Sequence, residues 1–147
     1  MGEDAFKVKG GNMTVREEAL ALWQKARKLE IADNHKGYIQ CPYCRRWIPV
    51  EHSVAVHYIP RACRALEMEP RNVWAGCPQC NSQDQLQSNA GEAHERYRQW
   101  LIENEGEWTV LWLENRKHVM VKHGTRYYKT TIQEVKAWLG KRNHAEK

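Results

Sequence analysis

The chain has 147 residues, 41% hydrophobic and 28% charged, with 23 Lys and Arg against 18 Asp and Glu and a formal net charge of +5. This composition excludes wholesale disorder, and the length suits a domain that buries roughly 68–70% of its unfolded surface. No run approaches the roughly 18 apolar residues needed to cross a bilayer, and no apolar stretch follows the N-terminus as a signal peptide requires. The expectation is a cytoplasmic protein with no membrane partner. The modest excess of positive charge permits a polyanionic partner without requiring one.

Residues 1–13 are polar and glycine-rich without periodicity, and read as a flexible lead-in, leaving 14–147 as a single domain. Thr14-Val15-Arg16-Glu17 fits a capping box, and apolar residues recur at helical spacing behind it, so 15–30 is expected to be an amphipathic helix within a helical lead over 14–37. From Tyr38 to Asn81 the pattern changes to a cysteine pair, β-like stretches at 48–50 and 53–59, an arginine-rich loop over 60–72 and a second cysteine pair. Residues 91–103 return to helical spacing. The segment 108–121 fits strand and short helix nearly equally. Thr131-Ile132-Gln133-Glu134 reads as a second capping box opening a last helix, in a C-terminal extension over 107–147.

Four of the five cysteines form two C-x-x-C pairs, Cys41/Cys44 and Cys77/Cys80, and 32 residues separate Cys44 from Cys77. Each short knuckle presents two thiolates to one ion at about 2.3 Å, the arrangement of a tetrahedral structural zinc site. Such a site has no open coordination position, so substrate chemistry has to come from other residues. The fifth cysteine, Cys63, reads as a small hydrophobic residue. Trp47 and Trp74 flank the knuckles and are expected to staple the core over the metal.

Two residues near the knuckles carry chemistry. His57 ends the second β-like stretch, where a neutral imidazole can take a proton from water. Asn81 directly follows Cys80, where an Asn can ligate a hard divalent ion or cap a helix. Asn72, in the loop between them, can pin a hairpin by bonding to backbone. Arg45, Arg46, Arg61 and Arg64 surround this region as candidate DNA phosphate contacts or as a solvated basic face.

The order of knuckle, strand, His, loop, Asn, knuckle, Asn is that of an HNH or ββα-metal nuclease core. In detail the chain resembles the NinG/Rap recombination nucleases of lambdoid phages. The resemblance is carried by Cys41-Pro-Tyr-Cys44, Ala55-Val56-His57-Tyr58, Arg71-Asn72-Val73, Cys77-Pro-Gln-Cys80-Asn81, Ser88-Asn89, Tyr97-Arg98, Leu101-Ile102 and Gly106, over roughly 38–106. It implies an α+β fold in which a small zinc-stabilised ββα-metal (HNH-like) core is flanked by N-terminal and C-terminal helices. It further implies a phage-encoded, metal-dependent endonuclease acting in the host cytoplasm on branched recombination intermediates such as Holliday junctions. His57 would be the general base, Asn72 the hairpin-fixing residue, and Asn81 a ligand of a catalytic Mg²⁺ or Mn²⁺ beside the structural Zn²⁺. Symmetric junction cleavage needs two active sites, which a homodimer would supply. The chain departs from the pattern of many HNH enzymes at Val56, where an Asp or His supplies the second metal ligand; Glu51, His52 and His94 remain open for that role. The alternative this departure favours is a non-catalytic zinc module that binds nucleic acid or a host protein on a degenerate HNH fold.

Overall fold

The computed structural model describes residues 5–8 and 11–145, and side chains over 13–144. The described chain is a mixed α+β protein with five helices and three two-stranded antiparallel sheets. In order these are β1 (Ala5–Val8), β2 (Gly11–Thr14), α1 (Val15–Asp33), β3 (Tyr38–Gln40), β4 (Trp47–Pro49), β5 (Val54–His57), β6 (Val73–Gly76), α2 (Pro78–Leu86), α3 (Glu92–Glu105), α4 (Glu107–Arg116) and α5 (Thr125–Ala145). No helix among the described residues is long and apolar enough to cross a membrane.

The chain sorts into two compact units. The first comprises residues 1–26 and 122–147. Residues 1–4 and 9–10 of the expected flexible lead-in lie outside the described residues; its described parts pair β1 with β2, Ala5 opposite Thr14 and Val8 opposite Gly11. The capping box forms at the start of α1: Glu17 N–H donates to Thr14 Oγ1 at 3.1 Å and Thr14 N–H to Glu17 Oε1 at 3.3 Å. Val15, Ala19 and Leu20 on α1, and Tyr128, Ile132 and Val135 on α5, are buried at helical spacing.

The second unit, residues 27–121, contains the cysteine pairs. β3 and β4 pair with Ile39 opposite Ile48, which places the loop carrying Cys41 and Cys44 at the hairpin tip. β5 and β6 pair with Val54 opposite Gly76 and His57 opposite Val73, and the residues between them make two 3₁₀ turns, Arg64–Leu66 and Pro70–Asn72. Alternation along β5 buries Val56 completely and leaves His57 half-exposed on the opposite face. The core is aromatic. Tyr97 lies edge-on to Tyr43 at 5.1 Å and to Tyr58 at 5.4 Å between ring centroids, with Leu66, Leu101, Val110 and Leu113 buried around them.

Two expectations change. The ambiguous segment resolves into α4, whose Val110 and Leu113 are buried at i, i+3 spacing, followed by a turn at 117–118 and irregular chain to 124. The second capping box does not form, because α5 already begins at Thr125 and Thr131 lies inside it, its Oγ1 donating to Tyr127 O at 3.1 Å. Nothing between Thr125 and Thr131 breaks a helix, so the local signal is overridden by continuation from the preceding turn.

Candidate metal centre and the histidine loop

The two knuckles meet. The Sγ atoms of Cys41, Cys44, Cys77 and Cys80 all lie within 4.8 Å of one another, and these four thiols could hold a metal ion such as zinc. The Cys44–Cys77 Sγ separation is 3.6 Å, close to the roughly 3.8 Å edge of a tetrahedron built on metal–sulfur bonds of about 2.3 Å. The first knuckle closes through Arg45 N–H to Cys41 O at 2.8 Å and Cys41 N–H to Arg46 O at 2.9 Å. Arg45 adopts φ +65°, a left-handed position with a steric cost for a residue that has a Cβ. In the second knuckle, Cys77 precedes α2 and Pro78 occupies its first turn, where a missing N–H costs nothing. Gly76 allows the approach: a Cβ there would stand 3.3 Å from Pro42 Cδ and Val56 Cγ1 and 3.4 Å from Cys41 Sγ.

The surroundings favour a thiolate at Cys44 and oppose one at Cys77 and Cys80. Cys77 N–H donates to Cys41 Sγ at 3.3 Å, and Arg46 donates from Nε to Cys44 Sγ at 3.5 Å and from Nη2 to Cys77 Sγ at 3.9 Å. Burial pushes the Cys44 thiol up, but the side-chain and backbone hydrogen bonds of Arg46 outweigh it and bring Cys44 down to about 6. Burial and the neighbouring sulfurs push Cys77 up to about 11 and Cys80 to about 12. Without a cation, four ionised thiols cannot share this space, so the donor set fits a soft or borderline divalent ion.

His57 ends β5, and its Nε2 lies 2.9 Å from the backbone carbonyl oxygen of Glu67. A carbonyl can only accept, so in the neutral ring Nε2 carries the proton and Nδ1 is the basic nitrogen. The loop that supplies this carbonyl is held by Asn72, which is completely buried. Its Nδ2 donates to Ile59 O and to Leu66 O, each at 3.0 Å, and its Oδ1 accepts from Ile59 N–H at 2.7 Å. Tyr58 N–H adds a bond to Asn72 O at 2.9 Å.

Asn81 lies one turn inside α2 and is not its N-cap; its N–H donates to Cys77 O at 3.0 Å. The other second-ligand candidates belong to no close group of three or more His, Cys, Asp and Glu side chains. Glu51 and His52 sit exposed in the 3₁₀ turn Val50–His52. His94, on α3, stacks on Tyr58 at 4.6 Å between centroids, and its Nδ1 lies 3.3 Å from Asp84 Oδ2. Among the described residues the four cysteines are the only close group of three or more His, Cys, Asp and Glu side chains. Of the four arginines, Arg45 pairs with Glu103 at 2.5 Å, Arg46 serves the thiolates and Arg64 pairs with buried Glu67 at 3.5 Å, while Arg61 is exposed. Trp47 does not staple the core: it is 52% exposed, edge-on to His35. Trp74 packs on Trp100 at 5.2 Å, under the Arg27 guanidinium. Cys63 is half-buried, its Sγ 3.6 Å from Arg116 O.

Several structural residues escaped the sequence reading. Asp84 is fully buried on α2 and accepts from Tyr43 Oη at 2.6 Å. Burial alone would push its carboxyl up, but the bonds from His94 and Tyr43 outweigh it and hold Asp84 below the usual carboxylate range. Gln87 Oε1 accepts from Ala93 N–H at 3.2 Å and so caps α3 from outside that helix. Tyr58 Oη donates to Glu114, which also pairs with Arg98 at 2.7 Å and thereby ties α3 to α4. No protein-family model matches the chain, and neither a curated protein nor a solved structure is significantly similar to it.

Proposed function

We propose that this protein is a zinc-stabilised, HNH-type endonuclease of branched DNA, with His57 activating the water that attacks phosphorus. The observation that supports this reading most is the hydrogen bond from His57 Nε2 to Glu67 O, on a loop braced by a buried Asn72. It gives the imidazole one tautomer and one direction, the requirements of a general base. The order β5, loop, β6, α2, with the histidine at the end of the first strand and a metal knuckle leading into the helix, agrees with a ββα nuclease core. In this reading zinc is the ion held by Cys41, Cys44, Cys77 and Cys80, and it anchors the hairpin to the helix without touching substrate. His57 takes the proton of the attacking water at Nδ1, and Asn72 keeps the carbonyl on its far side in place.

The Mg²⁺ or Mn²⁺ expected from the resemblance is less well served. Asn81 offers one amide oxygen, the four cysteines are the only described group of three or more His, Cys, Asp and Glu side chains close enough to hold an ion, and a hard divalent ion prefers several oxygens. The residues present do not by themselves make that site, and no step is derived through it. Complete burial of Val56 favours a second reading, a nucleic-acid-binding module on the same core that does not cleave. A cleavage assay separates the two, using a four-way junction and a matched linear duplex with Mg²⁺, Mn²⁺ or EDTA. Junction cutting that His57→Ala reduces by roughly 10²–10⁴ is expected. Salt-dependent junction binding without cutting under either ion would leave the binding module standing, and undiminished cutting by the variant would sink His57 as the base.

A further inference from the structure

The positive charge of this chain is not where the knuckle arginines suggested. Residues 116–147 carry nine Lys and Arg against two acids, a net charge of +7, whereas residues 1–115 carry 14 against 16, a net charge of −2. The whole excess belongs to the C-terminal segment, and most of that segment is α5. Within Thr125–Ala145 the one acid is Glu134.

The helix sorts these charges onto one face. At 3.6 residues per turn, Arg126, Lys129, Lys136 and Lys141 fall within an arc of about 140°. The buried stripe of Tyr128, Ile132 and Val135 lies on the other side. All four cations are exposed, and no ion pair joins any of them to another described residue. Between them on the same face stand Thr130, Gln133, Ala137 and Gly140, which are uncharged and mostly small. From Arg126 to Lys141 the face runs about 22 Å at 1.5 Å per residue. By contrast Arg45, Arg46 and Arg64 already have partners within the protein.

We propose that this face of α5 is the nucleic-acid-binding surface and that it holds the phosphate backbone. The inference rests on the DNA substrate of the reading above and names where that DNA is gripped. A row of unpaired cations along a rigid helix, separated by small residues, matches a polyanion with charges at regular intervals. A basic helix can also lie on an anionic bilayer, but that requires an apolar face to insert. The apolar stripe of α5 is buried in the protein, so phosphates on a nucleic-acid backbone are the better fit. Such contacts position the duplex and carry little sequence information.

The test is fluorescence-anisotropy titration of the full chain, zinc-loaded and in EDTA-free buffer without Mg²⁺ or Mn²⁺, against a labelled junction and a labelled duplex. The salt concentration is varied between about 50 and 200 mM. The variant K129Q/K136Q/K141Q is expected to lower the magnitude of the slope of log K against log salt by about 2 to 3, since each lost phosphate contact removes about 0.9. The Arg-substituted triple K129R/K136R/K141R should keep the parental slope, which separates charge from fold. Neutralising three exposed cations elsewhere, K25Q/K36Q/R96Q, should leave the slope unchanged. An unchanged slope in the α5 glutamine triple would overturn this inference and leave the endonuclease reading intact, because cleavage is scored separately with His57→Ala. Absence of DNA binding by the parent would overturn both. Sedimentation with phosphatidylserine-containing vesicles, lost in the glutamine triple while DNA binding is unaffected, would reassign the face to a membrane surface.

Discussion

Asn72 has its side chain bonded to both sides of the loop that follows β5, and its burial means water cannot replace any of those bonds. Asn72→Ala leaves Ile59 N–H and the carbonyls of Ile59 and Leu66 short of a partner, and is expected to cost about 3 kcal/mol. Asn72→Asp should do at least as much damage, because a carboxylate oxygen would then face two carbonyl oxygens. Urea unfolding of the zinc-saturated variants measures both, and a loss below about 0.5 kcal/mol would show that the loop is held by other contacts. Asn72 could be singled out from the sequence by its place between His57 and the second cysteine pair, where an Asn can pin a hairpin by bonding to backbone. Asp84 could not. It stands on a helix of polar residues, and only the fold reveals that its neighbours across the core are Tyr43 and His94. A buried carboxylate whose partners are distant in sequence leaves no local signature.

The two T-x-x-E segments show what an element's context adds to a local signal. Thr14 and Glu17 bond reciprocally at the start of α1, whereas Thr131 sits within α5 and returns its hydroxyl to Tyr127 O. Thr14→Ala should therefore destabilise by about 1 kcal/mol, while Thr131→Ala should be neutral or slightly stabilising, since Ala has the higher helix propensity. Thermal melts of the two variants check this, and equal losses would contradict the boundaries of α5. The knuckles were legible because metal ligation fixes a short spacing in sequence. The partnership of Arg46 with two thiolates was not, because it depends on the turn that Arg45 makes. It has a pH consequence. Cys44, held at about 6, is already ionised at neutral pH and need not lose a proton to the metal. In Arg46→Ala that thiol returns toward the ordinary value of about 8.5, so zinc must displace a proton there. Zinc affinity should fall roughly thirtyfold at pH 7, fall further below that, and match the parent above about pH 9. Competition with a chromophoric chelator across this range measures the gap. A gap that does not close as pH rises would mean that Arg46 acts by some means other than holding the thiolate.

For the unit spanning residues 27–121, stability turns on how little its sheets can do alone. Each is a two-stranded hairpin of three- or four-residue strands, and such pairs are marginal in water without something to pack on. The four thiols lie where the β3–β4 hairpin meets the junction of β6 with α2, so a metal held there joins three elements that few backbone hydrogen bonds connect. An apparent binding free energy of about 10–16 kcal/mol for a structural zinc matches or exceeds the whole stability of a typical domain. Stripping the metal should therefore release the hairpins, and with them the loop that orients His57. In hydrogen exchange, the amides of Cys41, Arg45, Tyr58 and Cys77 should lose protection when a high-affinity zinc chelator is added and regain it when zinc is returned. Tyr58 is the informative position. Its amide bonds to Asn72 O, away from the sulfurs, and it reports on the histidine loop. If Cys41 and Cys77 open on chelation while Tyr58 stays protected, the aromatic core around Tyr97 suffices to hold the β5–β6 hairpin, and the metal serves the knuckles alone. If all four open together, the metal site and the histidine loop form one cooperative element, and loss of zinc would abolish the proposed cleavage although no sulfur ligand is assigned a contact with DNA.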